Sequence, residues 1–483
     1  MKRFNTYEEF IVENDNLKLL TKEQLSWCKK HIKGTFSVNN QGEVIVPKDL
    51  SFKNSIFGRF PVKFGTVKGN FECVNCENLV SLEGSPSYVR GNFLIGGCPS
   101  LESLDGAPTY VRQNFEVNDD EAYRILSKFL YNKAIRKPSR TPEEIDTALN
   151  HPKSKATTLD GIPKDLYVEG YFIIKSNSLV SLEIVPKTIT VEAGYAYTSE
   201  NLVSLKGAPS HVEGSFECNY CPKLVSLKGA PAHVGGDFNC YYCVKLASLE
   251  GAPAHMDGNF DCRDCPKLTS LKGAPAHVGG HFECKRCDEL TSLEGAPSRV
   301  GGGFSCEECP NLASLEGAPA HVGEYFGCDD CPKLTSLEGA PSHVGGSFWC
   351  RRCPNLGTLE GAPEYVGRYF ICSGCRNLAS LEGAPAHVKG DFDCQDCPKL
   401  TSLEGAPAHV EGNFDCSGCP KLTSLEGAPS HVGGSFWCIE CPKLPDSFVG
   451  IIDVYNEEEI DWKMAHKLIH SETGRKAHSI GLI

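Results

Sequence analysis

The chain has 483 residues, a formal net charge of −13 and 26 cysteines. That acidity argues against general binding to nucleic acid or a membrane surface. The start, Met1-Lys-Arg-Phe-Asn-Thr-Tyr-Glu-Glu-Phe10, has no signal-peptide core, and no later run approaches the roughly 20 apolar residues of a membrane span, so a cytoplasmic protein without a membrane partner is expected.

In chain order, residues 1–66 read as an N-terminal cap. Thr21-Lys-Glu-Gln24 is a capping box, and Leu25, Cys28 and Ile32 share a helical face. Phe36-Ser-Val38 and Val44-Ile-Val46 are strand candidates. Repeats fill residues 67–118, starting at Val67, Val89 and Val111. Residues 119–158 then read as a helical insertion: 121–135 is amphipathic, and Thr141-Pro-Glu-Glu144 supplies a second helix start. Between Arg124 and Arg140 this segment has six basic residues and no acidic one, which is either a solvated helix face or a site for an acidic partner. The solenoid resumes over 159–441, with worn repeats around Val168 and Ile189. Residues 442–483 read as a closing cap, with a strand over 448–455 and a helix from Asn456 to about His470.

Within the main array a phenylalanine returns at 216, 238, 260, 282, 304, 326, 348, 370, 392, 414 and 436. A fixed period of 22 residues signals a solenoid, in which each unit buries its apolar face against its neighbours. In Val278-x-Gly280-x-Phe282-x-Cys284, small or apolar positions alternate with variable ones, which predicts one half-buried strand. Leu290 and Leu293 return a second apolar edge, and Gly295-Ala-Pro297 turns the chain with no room for a helix. The expected fold is a β-rich solenoid of parallel stacked coils with helical N- and C-terminal caps and one helical insertion.

Twenty-four of the cysteines form twelve Cys-x-x-Cys pairs, from Cys73/Cys76 to Cys438/Cys441. Paired motifs of this kind can converge on zinc or perform thiol redox chemistry. Here Cys284 shares the core face of Phe282, and Ile95 and Ile174 stand where other coils carry the first cysteine. Packing as small hydrophobes is therefore expected, with no metal and no cofactor, and zinc binding or thiol redox is the alternative. A histidine precedes the valine at 211, 233, 255, 277, 321, 343, 387, 409 and 431, and reads as a solvated turn residue. No nucleophile-elbow, phosphate-loop or zinc-protease motif occurs, so no catalytic residue is assigned and a non-enzyme is expected.

Phe-x-Cys-x-x-Cys-x-x-Leu resembles the leucine-rich repeat, with Phe282, Cys284, Cys287 and Leu290 standing for the inner leucines, the ladder residue and the following leucine. One extra residue lies between Val278 and Phe282 relative to that pattern. Leu-Thr-Ser-Leu-Glu-Gly-Ala-Pro-x-x-Val-Gly-Gly-x-Phe-x-Cys, with Trp27-Cys-Lys-Lys-His-Ile-Lys-Gly34 and Asn39-Asn-Gln-Gly-Glu-Val44 before it, more closely resembles repeat proteins of uncharacterised function carried by large tailed bacteriophages. The resemblance implies a leucine-rich-repeat-like scaffold acting in a host cytoplasm. It brings no catalytic residues.

Aligned on one another, the repeats vary at the residue before the phenylalanine, the one after it and the two between the cysteines. A uniform scaffold with a diversified face is how repeat proteins present a binding surface, so a protein partner is expected there. The candidate partner-binding residues are Tyr241, Tyr242, Tyr325, Trp349, Arg351, Arg352, Tyr369, Ile371 and Trp437. Trp349 is the expected centre, because Gly327 and Ile371 beside it are too small to cover an indole. The competing reading is cross-strand charge pairing, Lys285-Arg286 with Glu307-Glu308 and Asp329-Asp330 with Arg351-Arg352.

Overall fold

A computed structural model describes residues 15–118, 161–177 and 179–444. The chain divides into two compact units, residues 1–244 and 245–483. Each is a parallel β-solenoid with 22-residue coils and very little helix. The helices expected in the insertion, and the strand and helix expected after residue 447, lie outside the described residues.

In the first unit, the helix Lys22–His31 starts as its sequence predicts. The Gln24 backbone N–H donates to Thr21 Oγ1 at 3.1 Å, and the Thr21 N–H donates to Gln24 Oε1 at 2.9 Å. Cys28 and Ile32 are buried while Leu25 is half-buried, so the expected face is the packed one. Trp27 closes the aromatic end of the core against Phe52, Phe57 and Phe64. Strands Ser37–Val38 and Val44–Val46 pair antiparallel, and the solenoid ladders that follow are parallel. Their register sets Cys73, Ile95, Val117, Ile174 and Tyr197 in one file, all fully buried. Phe115 and Phe172 are direct ladder partners, so the coils on either side of the 119–158 segment stack on one another.

In the second unit the phenylalanine file becomes a continuous stack. From Phe260 to Phe436 successive ring centroids lie 5.1–5.3 Å apart, with planes within 10° of parallel. Each fully buried phenylalanine contributes about 1.5–3 kcal/mol by leaving water. Leu290 and Leu293 of the representative coil fill the other side of the same core.

The expected single strand from Val278 to Cys284 is instead two strands of two residues, His277–Val278 and Phe282–Glu283. The same break recurs where the two positions are Asp257-Gly258, Gly323-Glu324 and Lys389-Gly390, so it belongs to the path of the coil, and at 279–280 the chain passes close to the preceding coil. A Cβ on Gly279 would lie 2.4 Å from the Asp257 carbonyl oxygen, and one on Gly280 2.3 Å from Asn259 Oδ1. The two residues between the cysteines also leave the sheet. The second of them, Arg286 in this coil, has φ +54°, a left-handed turn that the burial of both flanking cysteines imposes. Among the described residues no helix is long and apolar enough to cross a membrane.

Candidate functional site

All 26 cysteines are buried thiols. Their spacing places each motif at a corner of the coil, where the stacked backbones leave carbonyl oxygens facing inward. The second cysteine donates back to the preceding coil, as Cys309 Sγ does to the Cys284 carbonyl at 3.4 Å and Cys375 Sγ to the Cys350 carbonyl at 3.1 Å. The first donates forward, Cys284 Sγ to the Ser305 carbonyl at 3.3 Å and Cys306 Sγ to the Gly327 carbonyl at 3.4 Å. Two thiol ladders thus run along the core, the first sharing carbonyls that already accept the same residue's own N–H, as Ser305 O does from the Cys284 N–H at 2.8 Å. Burial raises the Cys284 and Cys306 thiols well above their ordinary value and pushes Cys287 up to about 12, so they remain neutral at neutral pH. Among the described residues no three cysteine, histidine, aspartate or glutamate side chains converge as a metal site.

The histidine file occupies the outer positions of the short strands rather than turns. Several of its rings stack on their neighbours, His211 on His233 at 4.4 Å and His387 on His409 at 4.9 Å, while His321 meets His343 edge-on at 5.9 Å. Face-to-face rings point their nitrogen lone pairs alongside one another, which does not suit a shared ion.

Much of the diversified face is structural. The residue before the phenylalanine accepts a hydrogen bond from the backbone N–H of its counterpart in the next coil. Asn70 Oδ1 accepts from Asn92, Asn259 Oδ1 from His281, His281 Nδ1 from Gly303, and Asp391 Oδ1 from Asn413, at 2.7–2.8 Å. An aspartate after the phenylalanine caps its own corner, as Asp415 Oδ1 does for the Ser417 N–H at 2.9 Å. The charged tips pair across coils as the competing reading has it. Lys285 Nζ lies 3.2 Å from Glu307, Arg351 Nη2 2.6 Å from Asp329, and Arg352 Nη2 2.6 Å from Asp330. Arg351 and Arg352 are therefore already engaged. Asp329 is almost fully buried, and burial raises its carboxyl against the opposing pull of Arg351.

Between residues 303 and 371 the rule is kept only at Ser347, whose Oγ accepts from the Tyr369 N–H at 3.4 Å. Gly303, Tyr325 and Tyr369 stand in the acceptor file without a short acceptor side chain, and the file after the phenylalanine reads Ser305, Gly327, Trp349, Ile371. Tyr325 lies back over the bare Gly303, where a Cβ would be 2.3 Å from its ring. Its hydroxyl donates to Glu283 Oε1 at 2.7 Å, and its ring stacks on Trp349 at 5.1 Å and on His281 at 5.6 Å. Burial, then the bond to Glu283, hold the Tyr325 phenol well above its ordinary value. The Arg351 guanidinium lies 5.7 Å from the centre of the Trp349 ring. Trp349 is half-buried between Gly327 and Ile371, and Tyr369 is 43% exposed.

The structure thus brings Tyr325, Trp349, Arg351, Tyr369 and Ile371 onto one patch of the second unit. Arg352 is the outer arginine of the same coil. Trp437 stands apart from them, half-buried beside Asp415. Tyr241 and Tyr242 belong to the first unit, where they cluster with Tyr220: Tyr220 and Tyr242 stack at 5.1 Å, and Tyr241 meets Tyr220 edge-on at 5.3 Å. The sequence reading missed Glu324 and Arg368, which with Tyr325, Gly346, Ser347 and Trp349 line a groove of about 360 Å³. The signal was present, since 324 and 368 are positions where neighbouring coils carry glycine. Comparison with protein-family models, curated proteins and solved structures returned no match.

Proposed function

We propose that the chain is a non-enzymatic interaction scaffold that binds a protein partner along the outward face of its long sheet, anchored on the Tyr325–Trp349 patch. The observation that carries this reading is the lapse of the acceptor rule at Tyr325 and Tyr369, on either side of Trp349. A position that in most coils holds an inter-coil hydrogen bond is here given over to an aromatic ring, as it also is at Tyr171 of the first unit, and departures from a local structural rule concentrate at functional sites. Half-exposed aromatic rings beside an arginine are the composition of interface hot spots. The thiols donate to backbone carbonyls inside the core, which favours this reading over zinc or redox chemistry. With the resemblance to phage repeat proteins, it makes the chain a phage product acting in a host cytoplasm.

The test is affinity capture from a host lysate with the wild type and with Trp349→Ala, identifying the retained protein and titrating it. We expect Trp349→Ala to weaken binding at least about tenfold. The melting temperature changes little, because the variant loses chiefly one ring stack, about 0.5–1.5 kcal/mol. Unchanged affinity with lowered stability would assign the indole a structural role and overturn the reading.

A further inference from the structure

The file that begins each Gly-x-Phe step reads Gly258, Gly280, Gly302, Glu324, Gly346, Arg368, Gly390, Gly412, Gly434 in the second unit. Glycine suits the close approach of the preceding coil there, as at Gly346, where a Cβ would lie 2.3 Å from the Glu324 carbonyl oxygen. The two exceptions carry opposite charges and flank a single coil. Each is followed by a tyrosine: Tyr325 lies over Gly303 with its ring stacked on Trp349, while a Cβ on Gly390 would meet the Tyr369 ring at 3.0 Å. What remains between them is a slot one coil wide, with Gly346 and Ser347 as its floor and Trp349 at its end.

The charges at its rim also differ from the arginines at the corners of the coils. Arg263, Arg286, Arg351 and Arg352 each hold an aspartate within 2.6–2.7 Å. Among the described residues Arg368 has no acidic group within ion-pair distance, and Glu324 has only His281 at 3.9 Å. Positions 324 and 368 are thus two coil spacings apart, about 9.6 Å at the usual strand separation, each carrying an exposed charge, with a bare floor and an indole between them. Neither charge is committed to a close ion pair among the described residues, which leaves both available to a ligand of complementary polarity.

We propose that this slot seats a dipolar segment of the protein partner: a basic side chain over Glu324, an acidic side chain over Arg368, and an apolar side chain between them against Trp349. The proposal rests on the protein-binding reading and sharpens it. A carboxylate can take two parallel N–H bonds from Arg368, which fixes orientation as well as affinity. Glu324 excludes a second acid, so opposite walls specify the direction in which the segment lies.

The test is selection of a displayed random peptide library on the full chain, with Trp349→Ala as counter-selection, followed by titration of the enriched peptides. Enriched sequences should pair Lys or Arg with Asp or Glu around an apolar residue. Their affinity should fall at least about tenfold on Arg368→Glu and on Glu324→Lys. The double variant Glu324→Arg/Arg368→Glu should enrich peptides with the two charges in reverse order. Circular dichroism of each variant checks the fold. Enriched peptides lacking the charge pair, peptides indifferent to both reversals, or no enrichment at all would overturn the inference. A lysate partner that is lost on Trp349→Ala but indifferent to both reversals would overturn the slot and leave the scaffold reading standing, whereas a partner indifferent to Trp349→Ala would remove both.

Discussion

Raising the pH should dismantle this fold through its cysteines. The ordinary thiol value is 9.0, while burial holds Cys284, Cys306 and Cys328 well above it and pushes Cys287, Cys375 and Cys419 up to about 12. The folded coils therefore keep protons that the unfolded chain gives up. This contribution to stability is complete below pH 9 and is lost as pH rises from about 9 toward 12 and beyond. At about pH 10, one unit above the ordinary value, each thiol costs about 1.4 kcal/mol, or about 3 kcal/mol for a two-cysteine coil. That matches what one buried phenylalanine supplies, about 1.5–3 kcal/mol, so the penalty is large on the scale of a single coil. The assay is urea unfolding followed by circular dichroism from about pH 7 to 10, alongside the ultraviolet thiolate band of the native protein. We expect the urea midpoint to fall steeply above about pH 9 while the native thiols stay silent, and Cys306→Val to reduce the slope by one proton. A midpoint that is flat across this range, or native thiols that titrate near pH 9, would refute the argument.

Phe304→Ala removes a fully buried ring that is stacked on Phe282 at 5.2 Å and on Phe326 at 5.3 Å, and should cost about 3–5 kcal/mol in local hydrogen-exchange stability of the adjoining coils. The exposed Glu316→Ala should stay within about 0.5 kcal/mol; equal effects would mean the core is assigned to the wrong face. Gly303→Ala should expel Tyr325 from its seat, losing the ring stack and the bond to Glu283, about 1–3 kcal/mol together. Near-ultraviolet circular dichroism reads the Tyr325–Trp349 coupling, and an unchanged spectrum would show that the ring does not rest there.

The parts legible in the sequence are those that recur. The phenylalanine file, the Leu290/Leu293 edge and the burial of both cysteines follow from periodicity, and Thr21 with Gln24 marks a helix start through local chemistry alone. Strand length was not legible, because the break after Val278 belongs to how each coil lies against its neighbour and recurs whether the gap holds Gly279-Gly280 or Asp257-Gly258. The same non-local cause hid the meaning of the variable positions. Asn70, Asn259 and Asp391 look like surface diversity until the N–H groups of the next coil are placed opposite them. Once that role is recognised, Tyr325 and Tyr369 stand out as departures, and Trp349 keeps its place for a better reason than the size of its neighbours. The pairing of Arg351 and Arg352 with Asp329 and Asp330 was legible as the competing reading, because a period of 22 residues puts those positions in register on adjacent coils.

The central claim is that the repeated cysteines build the core and leave recognition to the outward aromatic patch. Its most direct test is the zinc content of the full chain, purified without chelator from zinc-supplemented medium and counted by elemental analysis against protein concentration. Thiols committed to the Cys284–Ser305 and Cys309–Cys284 backbone contacts predict less than about one zinc per chain. About one zinc for every two coils, with unfolding on chelation, would contradict the account, since four thiolates would then have to converge where the structure places hydrogen-bonded thiols.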